Sequence, residues 1–251
     1  EAKNQFTKQG LKIHLDTKVT AVKGNTSALC LTYLKDDNET EKEFDRVIVA
    51  VGRKPNIDNL FSIDSGITLD ESGRINVDDK WSPIVNLPFN FCFYGNNYNK
   101  CLIGSNGVIT FDTTNNTPGG YSTWSFNTDL PSTSLFKNTI FGVYHDIDPG
   151  VGGEIGWELI TLNTGCRALV ASWNNIPMFS STCNSILYTG MIVLYENSNV
   201  IDVFIKEKNV CETWNSGNAI VGIQNSTGSV AVVAPNRNGL SANWTVSNEA
   251  W

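Results

Sequence analysis

PFNFCFYGNNYNKCLIGSNGVITFD, residues 88–112, has the pattern of an antiparallel all-β domain. It opens with an aromatic-rich strand and then presents the apolar runs CLIGS and VITF around Asn106-Gly107. Asn-Gly between such runs is a strong hairpin signal, because both turn residues accept positive φ. Downstream the pattern repeats in TIFGVYHDI, EIGWELI, CRALVASW, ILYTGMIVLYE, NVIDVFIKE, NAIVGIQ and SVAVVAP. The links NTG, ENSN and NSTG between them are short and turn-prone. About nine strands with no convincing helix predict an antiparallel sandwich or jelly roll over residues 81–251.

Upstream of this stretch the composition changes. Residues 1–80 carry 12 basic and 14 acidic residues, against 6 and 11 in the remainder, and all seven tryptophans lie at or after Trp81. Five of the six cysteines, Cys92, Cys101, Cys166, Cys183 and Cys211, also fall in the second part. They are enough for two disulfides and one thiol, as suits an oxidising compartment, or for small buried free cysteines; connectivity is open. The net charge of -7 and a pI near 4.8 disfavour nucleic-acid phosphates and anionic lipid as partners. No apolar run is long enough to cross a bilayer as a helix, and the start at Glu1 reads as a segment of something longer.

The first segment has a different grammar. EAKNQFTKQG has the spacing of a helix end, with Gly10 as the left-handed stop. LKIHLDTKVTAV alternates as half-buried strands do, ALCLTYL and EFDRVIVAV continue the theme, and the polar link KDDNETEKE reads as a hairpin turn. VIVAV, apolar at successive positions, predicts a strand buried on both faces, as in a parallel α/β sheet. The fold class expected for the whole chain is therefore mixed: a partial α/β, Rossmann-like fragment with a β-meander over 1–80, followed by the larger all-β sandwich.

KQGLKIHLDTKVTAV, FDRVIVAVGRKPNIDNL and SGITLDESGRINVDD, in that order, resemble the flavin-dependent pyridine nucleotide-disulfide oxidoreductases, in particular the dihydrolipoamide dehydrogenase branch. The resemblance implies NAD and FAD as the parent family's cofactors and the end of an NAD-binding domain here. It places Val19 near the adenine side of NAD, and Ala50, Val51, Gly52 and Arg53 at the strand end bordering the nicotinamide half. That position suits the general rule that open α/β sheets bind ligands at strand carboxyl ends, where glycine permits close backbone approach. The family's glycine-rich phosphate turn would lie before Glu1, its CxxC pair is missing, and Cys30 stands alone in an apparent strand. The flavin-contacting stretch that should follow RINVDDK is replaced by WSPIVNLPFNF. No catalytic residue is expected in this segment, and neither cofactor is expected to bind it; His14 is expected only as an outward strand residue.

LPFNFCFYGNNY, IGSNGVITF, IFGVYHDIDPGVGG, IPMFSSTC, VLYENSNVIDVFI, WNSGNAIVGIQN, APNRN and NEAW resemble β-sandwich domains from large cell-surface proteins of gliding Bacteroidetes that carry a C-terminal sorting domain. They are more distantly similar to the nidogen-type extracellular domain. The resemblance implies a cell-surface address and an adhesion or interaction role with an undefined ligand, a surface glycan among the candidates.

HDIDPG places His145, Asp146 and Asp148 at a strand end. Paired carboxylates suggest Ca²⁺, but one pair falls short of the six to eight oxygens that ion takes, so a capped turn with no metal is the expectation. His145 lacks a visible nucleophile. Tyr121, Trp124, Trp214 and Trp244 are candidates for a sugar platform, although most are expected to fill the core. The chain thus reads as a fusion joined near Trp81: a cytoplasmic dehydrogenase remnant without its machinery, then an extracellular sandwich. Localisation is correspondingly contradictory.

Overall fold

The computed structural model describes residues 14–24, 29–35, 38–47, 77–239 and 243–251. The chain divides into two compact units, Glu1–Arg53 and Lys54–Trp251. Described elements of the first unit form one antiparallel meander of β1 (Thr17–Gly24), β2 (Leu29–Lys35) and β3 (Asn38–Phe44). The helix expected over residues 1–10 and most of the VIVAV strand lie outside the described residues.

Two expectations for this meander fail. The link KDDNETEKE is not all turn, since Asn38–Phe44 pairs with β2 from Lys35↔Asn38 to Leu29↔Phe44. Backbone pairing does not require apolar side chains, and every residue of this strand is exposed. Alternation on β1 also does not yield a buried face: Leu15 precedes the strand and is exposed, as are Val19 and Val22. The register slips between Val19 and Ala21, and only Thr32 is buried among the sheet's described residues. Period-2 patterning marks the strand but needs a second layer to bury its apolar face.

The second unit has the sandwich architecture. One sheet has six strands in the order β13 (Ala231–Val233), β12 (Ile220–Gln224), β7 (Thr139–Tyr144), β6 (Val108–Thr110), β5 (Asn96–Gly104), β4 (Val85–Phe93). The other has five in the order β14 (Val246–Ala250), β11 (Ile201–Lys208), β10 (Leu187–Tyr195), β9 (Arg167–Pro177), β8 (Glu154–Thr161). All pairings are antiparallel. The 3-10 turn Asn215–Gly217 is a short helical element among these strands.

Inward residues of β4, namely Val85, Leu87, Phe89, Phe91 and Phe93, alternate with outward ones and join Ile103, Ile109, Leu169, Trp173, Ile192 and Ile205 in the main core. Pro88 is tolerated because β4 is an edge strand, where a missing N–H leaves no ladder bond unmade. Strand β7 is buried on both faces: Ile140 and Val143 face the main core, Phe141 and Tyr144 a second cluster with Trp81, Leu102, Phe126 and Leu135. Residues 112–138 form that outer cover without a strand. They are held by the buried Gln224, which accepts from Ser132 N at 2.7 Å and donates to the carbonyls of Ser132 and Phe136 at 2.9 and 3.0 Å.

The hairpin signal at Asn106-Gly107 places the β5–β6 turn correctly, with Gly104 opposite Val108. Only Gly107 has positive φ, +83°, so this is a three-residue turn rather than a two-residue one. Asn106 is freed to act through its side chain. Of the five cysteines, Cys183 and Cys211 form a disulfide, whereas Cys92, Cys101 and Cys166 are free. A second bridge does not form; Cys101 points into the core from β5, where it packs as a small apolar side chain.

Candidate functional site

The site assembles around the Asn106 side chain. Its Nδ2 donates to Asp79 Oδ1 at 2.8 Å and to the Ser122 carbonyl at 3.2 Å, while its Oδ1 accepts from Ile147 N at 3.2 Å. One turn residue thereby ties together three chain segments distant in sequence. The segment bearing Asp78 and Asp79 is fixed by the bridges Lys80↔Tyr121 and Trp81↔Gly104 and by Ser122 N donating to Asp79 O at 2.8 Å. The segment bearing Asp146 leaves the end of β7, bridges Ile147 to Met178, and accepts at its Asp146 carbonyl from Phe179 N at 3.3 Å.

Three carboxylates meet as a result. One oxygen from each of Asp78, Asp79 and Asp146 lies within 4.8 Å of the others, and Asp148 adds its field. Burial, then the charges of Asp79, Asp148 and Asp146, pushes the Asp78 carboxyl up to about 7. Burial also pushes Asp146 up to about 7, against the Trp214 hydrogen bond that favours its ionised form, with Asp79 and Asp148 adding to the rise. Asp79 is raised as well, again chiefly by burial. Each acid has one oxygen held by a donor: Asp78 Oδ1 by Asp79 N at 2.9 Å, Asp79 Oδ1 by Asn106, and Asp146 Oδ2 by Trp214 Nε1 at 2.6 Å. Asp146 Oδ1 is buried and has no hydrogen-bond partner.

Beside the cluster lies a recess of about 20 Å³, room for a water rather than an organic substrate, lined by His145, Asp146, Met178, Lys208, Trp214 and Asn218 among others. His145 hydrogen-bonds the Val143 carbonyl through Nδ1 at 2.8 Å and meets Tyr188 edge to face; its Nε2 is unpartnered. Burial, then the Lys208 charge, pushes its pKa down to about 3. No serine, threonine or free cysteine lines the recess, so it offers this ring no side-chain nucleophile to activate.

Lys208 is 1% exposed, donates to the Trp244 carbonyl at 2.8 Å and lies 4.3 Å from the Trp244 ring centroid. Burial, then the Arg237 guanidinium, pushes its pKa from 10.5 down to about 7. Between about pH 7 and 10.5 the unfolded chain therefore binds the proton and the folded chain does not, so this residue's contribution to stability improves as pH rises through that window. Relative to Lys208→Met, the wild-type protein should gain on the order of 3 kcal/mol from pH 7 to 10.5, read from urea unfolding at each pH.

Among the aromatic candidates, Trp244 fills the core, as expected. Trp124 and Trp214 are half-buried with ring centroids 5.4 Å apart, Phe179 packs 4.9 Å from Trp214, and Tyr121 is 59% exposed. Of the dinucleotide candidates, Val19 lies on β1 and is 52% exposed, while Ala50, Val51, Gly52 and Arg53 fall outside the described residues. The described residues of the first unit contain no glycine-rich turn running into a helix, so they provide no array of N–H groups for a pyrophosphate. Sequence reading missed Asp78, Asp79, Asn106 and Lys208 as site residues. The first two were read as the tail of the dehydrogenase-like piece GRINVDD, and Asn106 as a turn residue.

Residues 1–86 match the pyridine nucleotide-disulphide oxidoreductase family. Over that part the chain is 42% identical across 80 residues to a dihydrolipoyl dehydrogenase of Cupriavidus necator, 33% across 79 to one of Mycobacterium leprae, and 34% across 82 to a mitochondrial one of Caenorhabditis elegans. Each match takes in 32% of this chain, and the chain spans only 17% of the length of each of these relatives. The first part is thus a dehydrogenase-like partial segment. No solved structure matches. Residues 61–250 match the family described as NIDO related, three quarters of the molecule including the sandwich and the three clustered aspartates. A two-sheet antiparallel domain closed by a C-terminal strand and matched along its whole length leaves one assignment: the chain belongs to the NIDO-related family.

Proposed function

We propose that the sandwich is an exported cell-surface interaction module that takes a glycan on its loop end, and that the dehydrogenase-like segment contributes neither catalysis nor dinucleotide binding. The observation that carries the glycan reading is the half-buried Trp124–Trp214 pair, extended by Phe179. Aromatic faces held partly open suit the apolar faces of sugar rings, and ring packing fixes them in advance of binding. The Cys183–Cys211 disulfide supports an oxidising location. Surface proteins of gliding bacteria, with a C-terminal sorting domain, are the setting in which such a module fits.

Two binding measurements on the full chain test both halves of this reading. A glycan array should give a hit whose affinity falls roughly tenfold, about 1.4 kcal/mol, in Trp124→Ala. A blank array, or a hit indifferent to that change, removes the aromatic platform. Added NADH should show no change in its fluorescence; micromolar binding would restore the nucleotide site.

A further inference from the structure

We propose that Asp78, Asp79 and Asp146 form a calcium site that clips the entry segment of the sandwich to the end of β7. Their carboxylates converge within 4.8 Å from two segments far apart in sequence. A second observation points to a ligand: Asp146 is only 6% exposed, and its Oδ1 has no hydrogen-bond partner. A buried carboxylate oxygen left unpaired is costly unless a cation or a donor meets it. Among the described residues, ion pairs join Arg167 to Glu196 and Arg237 to Glu249, but none reaches the aspartates.

The surroundings resemble the outer shell of a metal centre. Asp79 N, Asn106 Nδ2 and Trp214 Nε1 each hold one oxygen of one acid, which fixes the carboxylate plane and leaves its second oxygen for a ligand. Three carboxylates give three to six oxygens according to whether they bind through one or both, and water can complete the six to eight that Ca²⁺ takes. Oxygen-only donors exclude a soft metal. His145 is turned to Val143 and Tyr188, and Cys183 and Cys211 are joined to each other. Mono- or bidentate carboxylates completed by water suit the variable coordination of Ca²⁺ better than the strict octahedron of Mg²⁺. The site stands whether or not the neighbouring aromatics take a glycan.

The test uses the full chain stripped with EDTA and then titrated with CaCl₂ or MgCl₂, following Tm and terbium luminescence excited through tryptophan. Calcium in the range of extracellular modules, roughly 0.1–1 mM for half-saturation, should raise Tm by roughly 5–10 °C at a hundredfold excess. Terbium should luminesce through Trp214, which bonds a ligand directly, and calcium should quench the signal by displacement. Asp78→Asn and Asp146→Asn keep an acceptor oxygen for their donors. Each should match or exceed the wild-type Tm in EDTA, because like charge is removed, while losing the calcium shift. An unmoved wild-type Tm with no terbium signal overturns the site. So does a shift that persists in both variants, and an equal response to Mg²⁺ overturns the choice of calcium.

Discussion

Gly107→Ala should abolish folding of the sandwich or reduce its stability by at least 3–5 kcal/mol, a drop in Tm of roughly 10 °C or more. Two separate costs fall on this position. Gly107 has φ +83°, which disfavours any side chain. A Cβ here would also lie 2.1 Å from the Val143 carbonyl oxygen and 2.9 Å from its carbon. The obstacle is backbone of β7, which is paired with β6 on one side and β12 on the other, so it has little freedom to retreat. The same turn supplies the Gly107 carbonyl to Gly142 N at 3.0 Å and positions Asn106, so the acidic site should be lost with it. Gly165→Ala separates the two costs: φ there is +81°, yet nothing lies within 4 Å of its added Cβ. That variant should lose only about 1–2 kcal/mol. Urea unfolding of both decides the matter, and a Gly107→Ala midpoint close to that of Gly165→Ala would refute the steric account.

Breaking the Cys183–Cys211 bond should cost about 3–4 kcal/mol, the loop-closure value for a separation of 28 residues. Tm should fall by roughly 6–14 °C in reductant and by a similar amount in the double variant Cys183→Ser with Cys211→Ser. The bond also anchors the turn carrying Trp214, whose indole N–H holds Asp146. Reduction should therefore weaken any response that depends on this aspartate. Effects of reductant can be ascribed to this bond, since the other cysteines are free thiols and Cys101 is sealed in the core with its pKa pushed up to about 12. Equal Tm with and without reductant would show that the loop is already ordered in the unfolded ensemble.

Local chemistry made most of the sandwich legible. The β4 run VNLPFNFCF alternates inward and outward as its apolar spacing requires, and Asn106-Gly107 marks the following hairpin. Each is a property of neighbours in sequence: side chains alternate along an extended backbone, and glycine alone accepts the turn's φ without strain. The same local rules misjudged the first unit. Glu39, Glu41, Lys42 and Glu43 lie on a strand although nothing apolar recommends it, because pairing with β2 is a backbone affair. Residues 112–138 gave no periodic signal, yet Phe126, Leu130 and Leu135 form the outer cover of β7. Their burial depends on Gln224 and Asn238, more than 80 residues away, bonding the loop's backbone.

The antiparallel strands of the second part, its lack of helices and the different kind of the charged first part follow from local patterning alone; the long cover of residues 112–138 does not. Only the tertiary structure decided which acids meet. Asp146 and Asp148 were visible as a pair, but Asp78 and Asp79 stood in a stretch resembling a different family, and no spacing rule joins them to β7. Sheet register and the Asn106 side chain bring Asp78, Asp79 and Asp146 together, and burial with mutual repulsion then makes their carboxylates costly to ionise. Strand and turn propensities act over a few residues, whereas electrostatic clustering is set by distances through space that the chain order does not encode.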